Sequence, residues 1–99
     1  MRLSDHSRNV IRDCVAEIFG PDARIRLFGS RADDSARGGD IDLLVELPRQ
    51  DADARRKALT LTARLQRRLG DQPIDVLVID PVTPRQPIHT EAMRTGVRL

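Results

Sequence analysis

Apolar residues recur at helical spacing in two long segments of the chain. The first stripe follows Ser4, a favourable N-cap residue, and ends before Gly20. The second stripe follows Asp51 or Asp53 and ends before Gly70. Their members are Val10, Ile11, Cys14, Val15, Ile18 and Phe19 in the first segment and Ala54, Ala58, Leu61, Leu65 and Leu69 in the second. Both segments are therefore predicted to be amphipathic helices.

Three shorter segments have the pattern of strands. Polar and apolar residues alternate over positions 23–28, as in a strand with one buried face. In the segment 40–47 all the odd-numbered positions are apolar, and Pro48 then ends the pattern. The segment 73–79 is apolar apart from Asp75 and is predicted to be a third strand.

A last short helix is predicted between Pro87 and Gly96. Residues 29–32 are expected to form a further helical turn directly after the first strand. The element order is then α-β-(α)-β-α-β-α. It predicts an α+β fold, with helices packed against a small mixed β-sheet, in one domain of residues 1–99. The apolar contacts of the last helix and of the terminal segment after it are predicted to be Ile88, Ala92, Met93, Val97 and Leu99.

The composition narrows the class of protein. The sequence has neither a run of about 18 apolar residues nor the apolar region of a signal peptide, so we expect a cytoplasmic protein. Cys14 is the single cysteine, and its place in an apolar stripe predicts a buried, inert thiol. Phe19 and Phe28 are the only aromatic residues, whereas proteins that bind single-stranded nucleic acid usually stack bases on aromatic side chains. Direct binding of nucleic acid is therefore not expected.

The charge distribution adds little that is specific. Sixteen of the seventeen basic residues are Arg, and the net charge is +2. The arginine-rich side of the second long helix is expected to be a solvated face. His6 lies in the first turn of the first helix, away from its apolar stripe, and is expected to be solvated. His89 has no nearby acid or second His in sequence, so no role as a metal ligand is predicted for it.

Candidate chemistry is concentrated around the first two strands. Gly29-Ser30 follows the first strand and opens a helical turn, where backbone N–H groups can bind a phosphate. Asp40 and Asp42 are one residue apart in the second strand, so they share a face with Cα atoms roughly 6.6 Å apart. Taken alone, this pair is more often a solvated strand end than a site.

Asp75 changes that balance, because it interrupts an otherwise apolar strand. If the third strand pairs beside the second, Asp75 can face Asp40 and Asp42. Three such carboxylates would repel one another and raise one or more of their pKa values unless a cation binds. Ligation by oxygen alone suits Mg²⁺, or alternatively Mn²⁺.

On these residues the sequence resembles the polymerase beta-like nucleotidyltransferase superfamily, and in particular its minimal nucleotidyltransferases. The matching segments cover nearly the whole chain and keep the order G-S, D-x-D and D on three successive strands. They are Leu27-Phe28-Gly29-Ser30-Arg31-Ala32, then Gly39-Asp40-Ile41-Asp42-Leu43-Leu44-Val45, then Ile74-Asp75-Val76-Leu77. The resemblance implies a polymerase beta-like nucleotidyltransferase fold.

The resemblance also implies roles for the matching residues. Gly29 and Ser30 would bind the triphosphate of ATP or another nucleoside triphosphate, and Asp40 and Asp42 would bind two Mg²⁺ ions. Asp75 would bind the catalytic metal and orient or deprotonate an acceptor hydroxyl. Two ions about 3.5–4 Å apart can stabilise attacking and leaving oxygens together. The reaction implied is transfer of a nucleoside monophosphate, AMP from ATP, with release of pyrophosphate.

Arg31 or Arg37 is a candidate for neutralising phosphate charge, although a solvated loop arginine is an equal alternative. Two departures from the family pattern lie in the predicted loop of residues 33–39. Many members have Ser before the first acid, where this chain has Gly39. The additional acids Asp33 and Asp34 would oppose a bound triphosphate unless they point away from it.

Two functions are compatible with the resemblance. In the first, the protein is a Mg²⁺-dependent adenylyltransferase that modifies a hydroxyl, expected to be a tyrosine, of a small helical HEPN protein. It would then act as the antitoxin of a toxin–antitoxin pair, as a homo- or hetero-oligomer. In the second, the protein is a binding module that neutralises its partner by occlusion, and the acids are vestigial or structural. A third possibility is transfer to a small molecule, which would need a pocket that 99 residues can hardly build alone.

Overall fold

A computed structural model describes residues 1–35 and 38–99 of the chain. Three helices, four strands and one 3-10 turn follow one another along these residues. We call the 3-10 turn the Gly-Ser turn (Gly29–Arg31). In chain order the other elements are α1 (Asp5–Phe19), β1 (Arg24–Phe28), β2 (Ile41–Glu46), α2 (Ala54–Leu69), β3 (Ile74–Ile79), α3 (Pro87–Thr95) and β4 (Val97–Arg98). The α+β class predicted from the sequence is confirmed.

The four strands form one mixed sheet in the order β3-β2-β1-β4. β2 pairs antiparallel with β1 and parallel with β3, and β4 pairs antiparallel with β1. The terminal segment, expected only to dock, is therefore a short strand. The amide of Leu99 extends the pairing by donating to the carbonyl of Ile25 at 3.0 Å.

The main core lies between the sheet and the helices α1 and α2. Ile11, Cys14, Leu61 and Leu65 on the helices are fully buried, as is Leu43 on the sheet. Burial raises the pKa of the Cys14 thiol, which keeps it protonated and unreactive as predicted. No helix in the described part of the chain is long and apolar enough to cross a membrane.

A second, smaller apolar cluster lies on the opposite face of the sheet. Leu44 points away from the main core because side chains alternate along β2. It packs with Ile79 and with Ala92 of α3, and all three are buried. This cluster lies on the same face of β2 as Asp42.

The predicted contact of Ile88 with the core is wrong, because Ile88 is 49% exposed. His89 is the buried residue in the first turn of α3, followed by Ala92. Its Nδ1 atom accepts a hydrogen bond of 3.1 Å from the backbone N–H of Gln86. Because this hydrogen bond caps the start of α3, the imidazole of His89 faces the sheet and Ile88 does not.

Two of the leucines of α2, one buried and one exposed, offer a matched test of this core. Leu65→Ala is expected to lower the free energy of unfolding by about 2–5 kcal/mol, since it removes a fully buried side chain and leaves a cavity. Leu59→Ala makes the same change in the same helix at a position that is 70% exposed, so we expect an effect within about 0.5 kcal/mol. Urea denaturation followed by circular dichroism measures both. Similar losses for the two variants would contradict the assigned packing of α2.

Candidate active site

The parallel pairing of β2 and β3 brings two acids together. Asp42 and Asp75 are direct partners in the register of the two strands, so their backbones are about 4.8 Å apart. Phe28 is the partner of Asp42 on the other side, in β1. The Gly-Ser turn therefore begins one residue beyond the position that faces Asp42. This register confirms the expectation that Asp75 faces Asp42 across neighbouring strands.

Asp40 lies just outside the paired region. It is exposed and precedes the first residue of β2. Its negative charge acts on Asp42 across the intervening residue, because it contributes to raising the pKa of Asp42. In the part of the chain that the structure describes, no group of three or more His, Cys, Asp or Glu side chains is arranged to hold a metal ion. The observed arrangement is a close pair of acids with a third one beside it.

The pKa of Asp42 is raised above the usual range of an aspartic acid. The largest cause is burial of the carboxyl group, followed by the negative charges of Asp75 and Asp40 and by a hydrogen bond with Asp75. The apolar cluster beneath α3 lies on the same face of β2 as Asp42 and limits the access of water to its carboxyl group. This is the effect that like charges on one partly buried site produce.

Gly29 lies directly against the carboxylate of Asp42. Its φ angle is +72°, which favours glycine. A Cβ atom at this position would collide with Oδ2 of Asp42. Only a residue without a side chain lets the Gly-Ser turn approach the acid this closely.

Ser30 is half-buried and packs against the far side of the loop. A Cβ atom on Gly38, whose φ angle is +137°, would come within 2.9 Å of the Ser30 Oγ atom. Gly38 therefore closes the loop tightly over the serine. The structure places Gly29 against Asp42, with Ser30 next in the same turn.

Arg31 is held by acceptors within the protein. Nε and Nη2 both donate to the carbonyl of Gly39, at 3.2 and 3.0 Å. Nη1 donates to the carbonyl of Arg2 at 3.0 Å, and Nη2 also reaches Oε1 of Gln72 at 3.1 Å. Four of its five N–H groups are thus engaged. In this conformation, Arg31 holds the loop and has little donor capacity left for a phosphate.

Arg2 is a residue of this region that sequence reasoning missed. Its Nη2 atom donates to the carbonyls of Ser30 and Gly38, at 3.0 and 2.9 Å. Its backbone N–H donates to the carbonyl of Arg31 at 2.7 Å. These partners are 28 to 36 residues away in sequence, and no local pattern marks the contact.

The additional acids of the loop are engaged elsewhere. Asp34 forms an ion pair with the amino group of Met1. Asp33 accepts hydrogen bonds from the backbone N–H and the hydroxyl of Ser35, at 2.9 and 2.7 Å. Arg37, the second arginine considered for phosphate binding, lies outside the described residues.

One groove along the described residues lies away from the acids. It has a volume of about 850 Å³ and is lined by the opposite ends of β1 and β2, including Arg24 and Glu46. Asp42 pairs with Phe28 at the other end of the same two strands. This groove therefore does not include the acid pair, of which Asp42 is half-buried and Asp75 exposed.

The acid pair fits a divalent cation. Mg²⁺ commonly binds through one or two protein carboxylates, with waters and substrate phosphates as its other ligands. The raised pKa of Asp42 reflects repulsion and burial that a cation would relieve. Asp42 and Asp75 would hold such an ion, and Asp40 is placed to join them if its side chain turns inward.

A family model described as a nucleotidyltransferase domain matches residues 8–95, and the chain belongs to this family. Membership bears out the predicted polymerase beta-like fold and supports nucleotidyl transfer as the general activity, of the EC 2.7.7 type. No curated protein matches the chain.

Gly29 and Gly39 offer a matched test of the close approach to Asp42. Gly29→Ala is expected to lower the free energy of unfolding by at least about 1–2 kcal/mol, the cost of a left-handed backbone for a residue with a Cβ atom. The collision with Asp42 would add to this loss. A Cβ atom added at Gly39 would have no neighbour within 4 Å, and the φ angle of Gly39 is not positive, so Gly39→Ala should change stability little. Urea denaturation measures both. Equal losses would count against the assigned turn geometry.

The acid pair also predicts a pH-dependent stability in metal-free protein. Because folding raises the pKa of Asp42 above its ordinary value of 3.8, ionised Asp42 disfavours the folded state. Its stabilising contribution is complete below pH 3.8 and is lost as the pH rises through the folded pKa. Asp42→Asn should therefore become more stable relative to wild type over this window, by on the order of 1 kcal/mol for a partly solvated pair.

Urea denaturation in EDTA at several pH values measures this difference. Asp53→Asn is the control, because Asp53 is an exposed acid at the N-terminus of α2 and asparagine is an equally good N-cap. A stability difference for Asp42→Asn that did not change with pH would contradict the assigned electrostatics.

Proposed function

We propose that this domain transfers a nucleoside monophosphate, AMP from ATP, to a hydroxyl group of a protein partner in a Mg²⁺-dependent reaction. The general activity follows from the family. The observation that carries the rest is the position of Gly29 against Asp42, with Asp75 facing Asp42 from the next strand. This arrangement sets a phosphate-binding turn beside an acid pair.

The bond changes of the reaction are simple. The acceptor oxygen attacks the α-phosphorus of the nucleotide, and the bond between that phosphorus and the oxygen bridging to the β-phosphate breaks. Pyrophosphate leaves, and the hydroxyl proton passes to a base or to water. We assign the orientation of the hydroxyl, and acceptance of its proton, to Asp75, which is exposed at the open edge of the site.

The Gly-Ser turn would bind the outgoing phosphates. Its backbone N–H groups and the Ser30 hydroxyl are donors of the kind that bind phosphate. Gly29 provides the space that lets the phosphates approach Asp42. Arg31, first considered as a direct phosphate ligand, would contribute its positive charge and hold the loop, because most of its donors are engaged with carbonyls.

Mg²⁺, or Mn²⁺ in its place, would supply the positive charge that stabilises the attacking and leaving oxygens. We assign Asp42 and Asp75 as the residues that hold it, with Asp40 as the third. A second ion would be held by Asp40 and Asp42 together with the nucleotide phosphates. The repulsion that raises the pKa of Asp42 supports a cation at this position.

A protein acceptor agrees with the open form of the site. Asp40 and Asp75 are exposed, and the 850 Å³ groove is at the other end of β1 and β2. An exposed site can receive a side chain carried by a partner more readily than it can enclose a small molecule. By the resemblance to minimal nucleotidyltransferases, the partner we propose is a small helical HEPN protein, modified on a tyrosine hydroxyl by an antitoxin that acts with it as a hetero-oligomer.

Asp42→Asn is expected to lower AMP transfer at least about a hundredfold, since it removes a ligand of the catalytic cation. The protein is incubated with ATP labelled at the α-phosphate, with or without Mg²⁺, and with a purified HEPN protein as the acceptor. Transfer to the HEPN protein should require Mg²⁺ and should fail when a tyrosine at the modified position is replaced by phenylalanine. Asp53→Asn, which removes an acid away from the site, should transfer at the wild-type rate.

Absence of label transfer from wild-type protein, with equal protection against the HEPN protein by wild type and Asp42→Asn, would overturn the enzymatic proposal. It would instead favour neutralisation by occlusion. Label found on a small molecule but not on the protein would retain nucleotidyl transfer and overturn the protein acceptor.

A further inference from the structure

We propose that Arg2 is a positioning residue of the nucleotide site, which together with Arg31 fixes the Gly-Ser turn in the conformation that binds the triphosphate. The inference rests on the proposed function, since it concerns the binding of the same nucleotide. It names a residue that lies before α1 and far from the three motifs in sequence.

The two arginines form a reciprocal pair of contacts. The backbone N–H of Arg2 donates to the carbonyl of Arg31 at 2.7 Å. In return, Nη1 of Arg31 donates to the carbonyl of Arg2 at 3.0 Å. Each residue therefore fixes the backbone of the other, so that the segment before α1 cannot move without disturbing the Gly-Ser turn.

Their guanidinium groups hold the two ends of the loop together. Arg2 donates to the carbonyls of Ser30 and Gly38, which lie on either side of the loop. Arg31 donates twice to the carbonyl of Gly39, the residue immediately before Asp40. We call this set of contacts the arginine brace. It connects the phosphate-binding turn to the strand that carries the acids.

The brace uses its arginines in an unusual way. Both guanidinium groups bind carbonyl oxygens, and neither is within 4 Å of a carboxylate among the described ion pairs. The Nε atom of Arg2 is moreover buried without a partner, a cost that a side chain free to move into water would avoid.

Two cations fixed beside the Gly-Ser turn have a direct consequence for a bound polyanion. They raise the electrostatic potential at the turn without occupying its backbone N–H groups. They also fix the loop before the nucleotide arrives, so less conformational entropy is lost on binding. Arg2 thus favours nucleotide binding through both geometry and charge, without touching the reacting atoms.

Arg2→Ala is expected to weaken binding of MgATP about tenfold, a change typical for loss of charge-assisted hydrogen bonds. The KM for ATP should rise by a similar factor, with a smaller change in kcat, because the acids remain in place. Isothermal titration calorimetry gives the affinity, and transfer of labelled AMP gives the kinetic constants. Arg2→Lys keeps the charge and some donors but not the fork geometry, so its affinity should fall between wild type and Arg2→Ala.

Arg12→Ala is the matched control, since Arg12 is exposed on α1 and lines the distant groove. It removes the same charge and should leave ATP affinity close to that of wild type. The variant Arg2→Ala/Arg31→Ala tests the brace as a unit. If both residues act through it, the double variant should bind ATP little more weakly than either single variant, because coupled changes are not additive.

Amide hydrogen exchange tests the brace without any nucleotide. The amide of Ala32 donates to the carbonyl of Gly29 within the Gly-Ser turn. Arg2→Ala should accelerate exchange at Ala32 about tenfold, as expected for a locally loosened turn. Exchange at the buried Leu44 should stay unchanged, and Arg12→Ala should alter neither.

The outcomes separate this inference from the proposed function. Faster exchange at Ala32 together with weaker ATP binding supports the inference. Unchanged exchange, or faster exchange with unchanged ATP affinity, overturns it while wild-type transfer still stands. If wild-type protein neither binds ATP nor transfers AMP, the proposed function fails and with it the assignment to nucleotide binding, whereas the exchange data still decide whether the brace exists.

Discussion

The interaction on which the site depends is the close approach of Asp42 and Asp75. Their pairing is a consequence of register, since a shift of one residue between β2 and β3 would turn one acid to the opposite face of the sheet. The register is itself fixed by the core, because Leu43 and Val45 must face α1 and α2. The apolar pattern that folds the protein therefore also imposes the repulsion at its site.

That repulsion determines what the acid pair favours binding. A carboxylate pair that raises its own pKa favours either a shared proton or a cation. In a protein selected only for stability, one of the two positions could be an apolar strand residue such as its neighbours. Under the proposed function, a cation held by these acids would recover the energy that the folded protein loses here.

The sequence predicted the fold well because its local signals agree with one another. Ser4 caps α1, Gly70 ends α2, and the alternation along 40–47 gives the two faces of β2 correctly. The acid pair was also predictable, because an isolated Asp75 in an apolar strand needs an explanation. The prediction for Ile88 is wrong because helical periodicity does not show which polar residue caps a helix on its buried side. In α3 that residue is His89.

What the sequence did not predict are contacts whose partners are carbonyl groups. Every residue except proline has the same backbone donor and acceptor, so an arginine that binds carbonyls leaves no complementary residue to search for. Arg31 was considered as a phosphate ligand because its charge is visible in the motif, while Arg2 was not considered at all. In the structure, the two are equivalent members of one brace.

The contacts of Arg2 and Arg31 with carbonyl groups bear on how this domain could build the proposed phosphate site. A loop with Gly29, Gly38 and Gly39 has a large conformational freedom in the unfolded chain, and glycine loses more of it on folding than any other residue. The loop must still present its donors in one geometry. Multidentate arginines that bind the loop's own carbonyls supply that order and add positive charge at the same time. The glycine that allows the Gly-Ser turn to approach Asp42 thus requires the arginines that hold the loop in place.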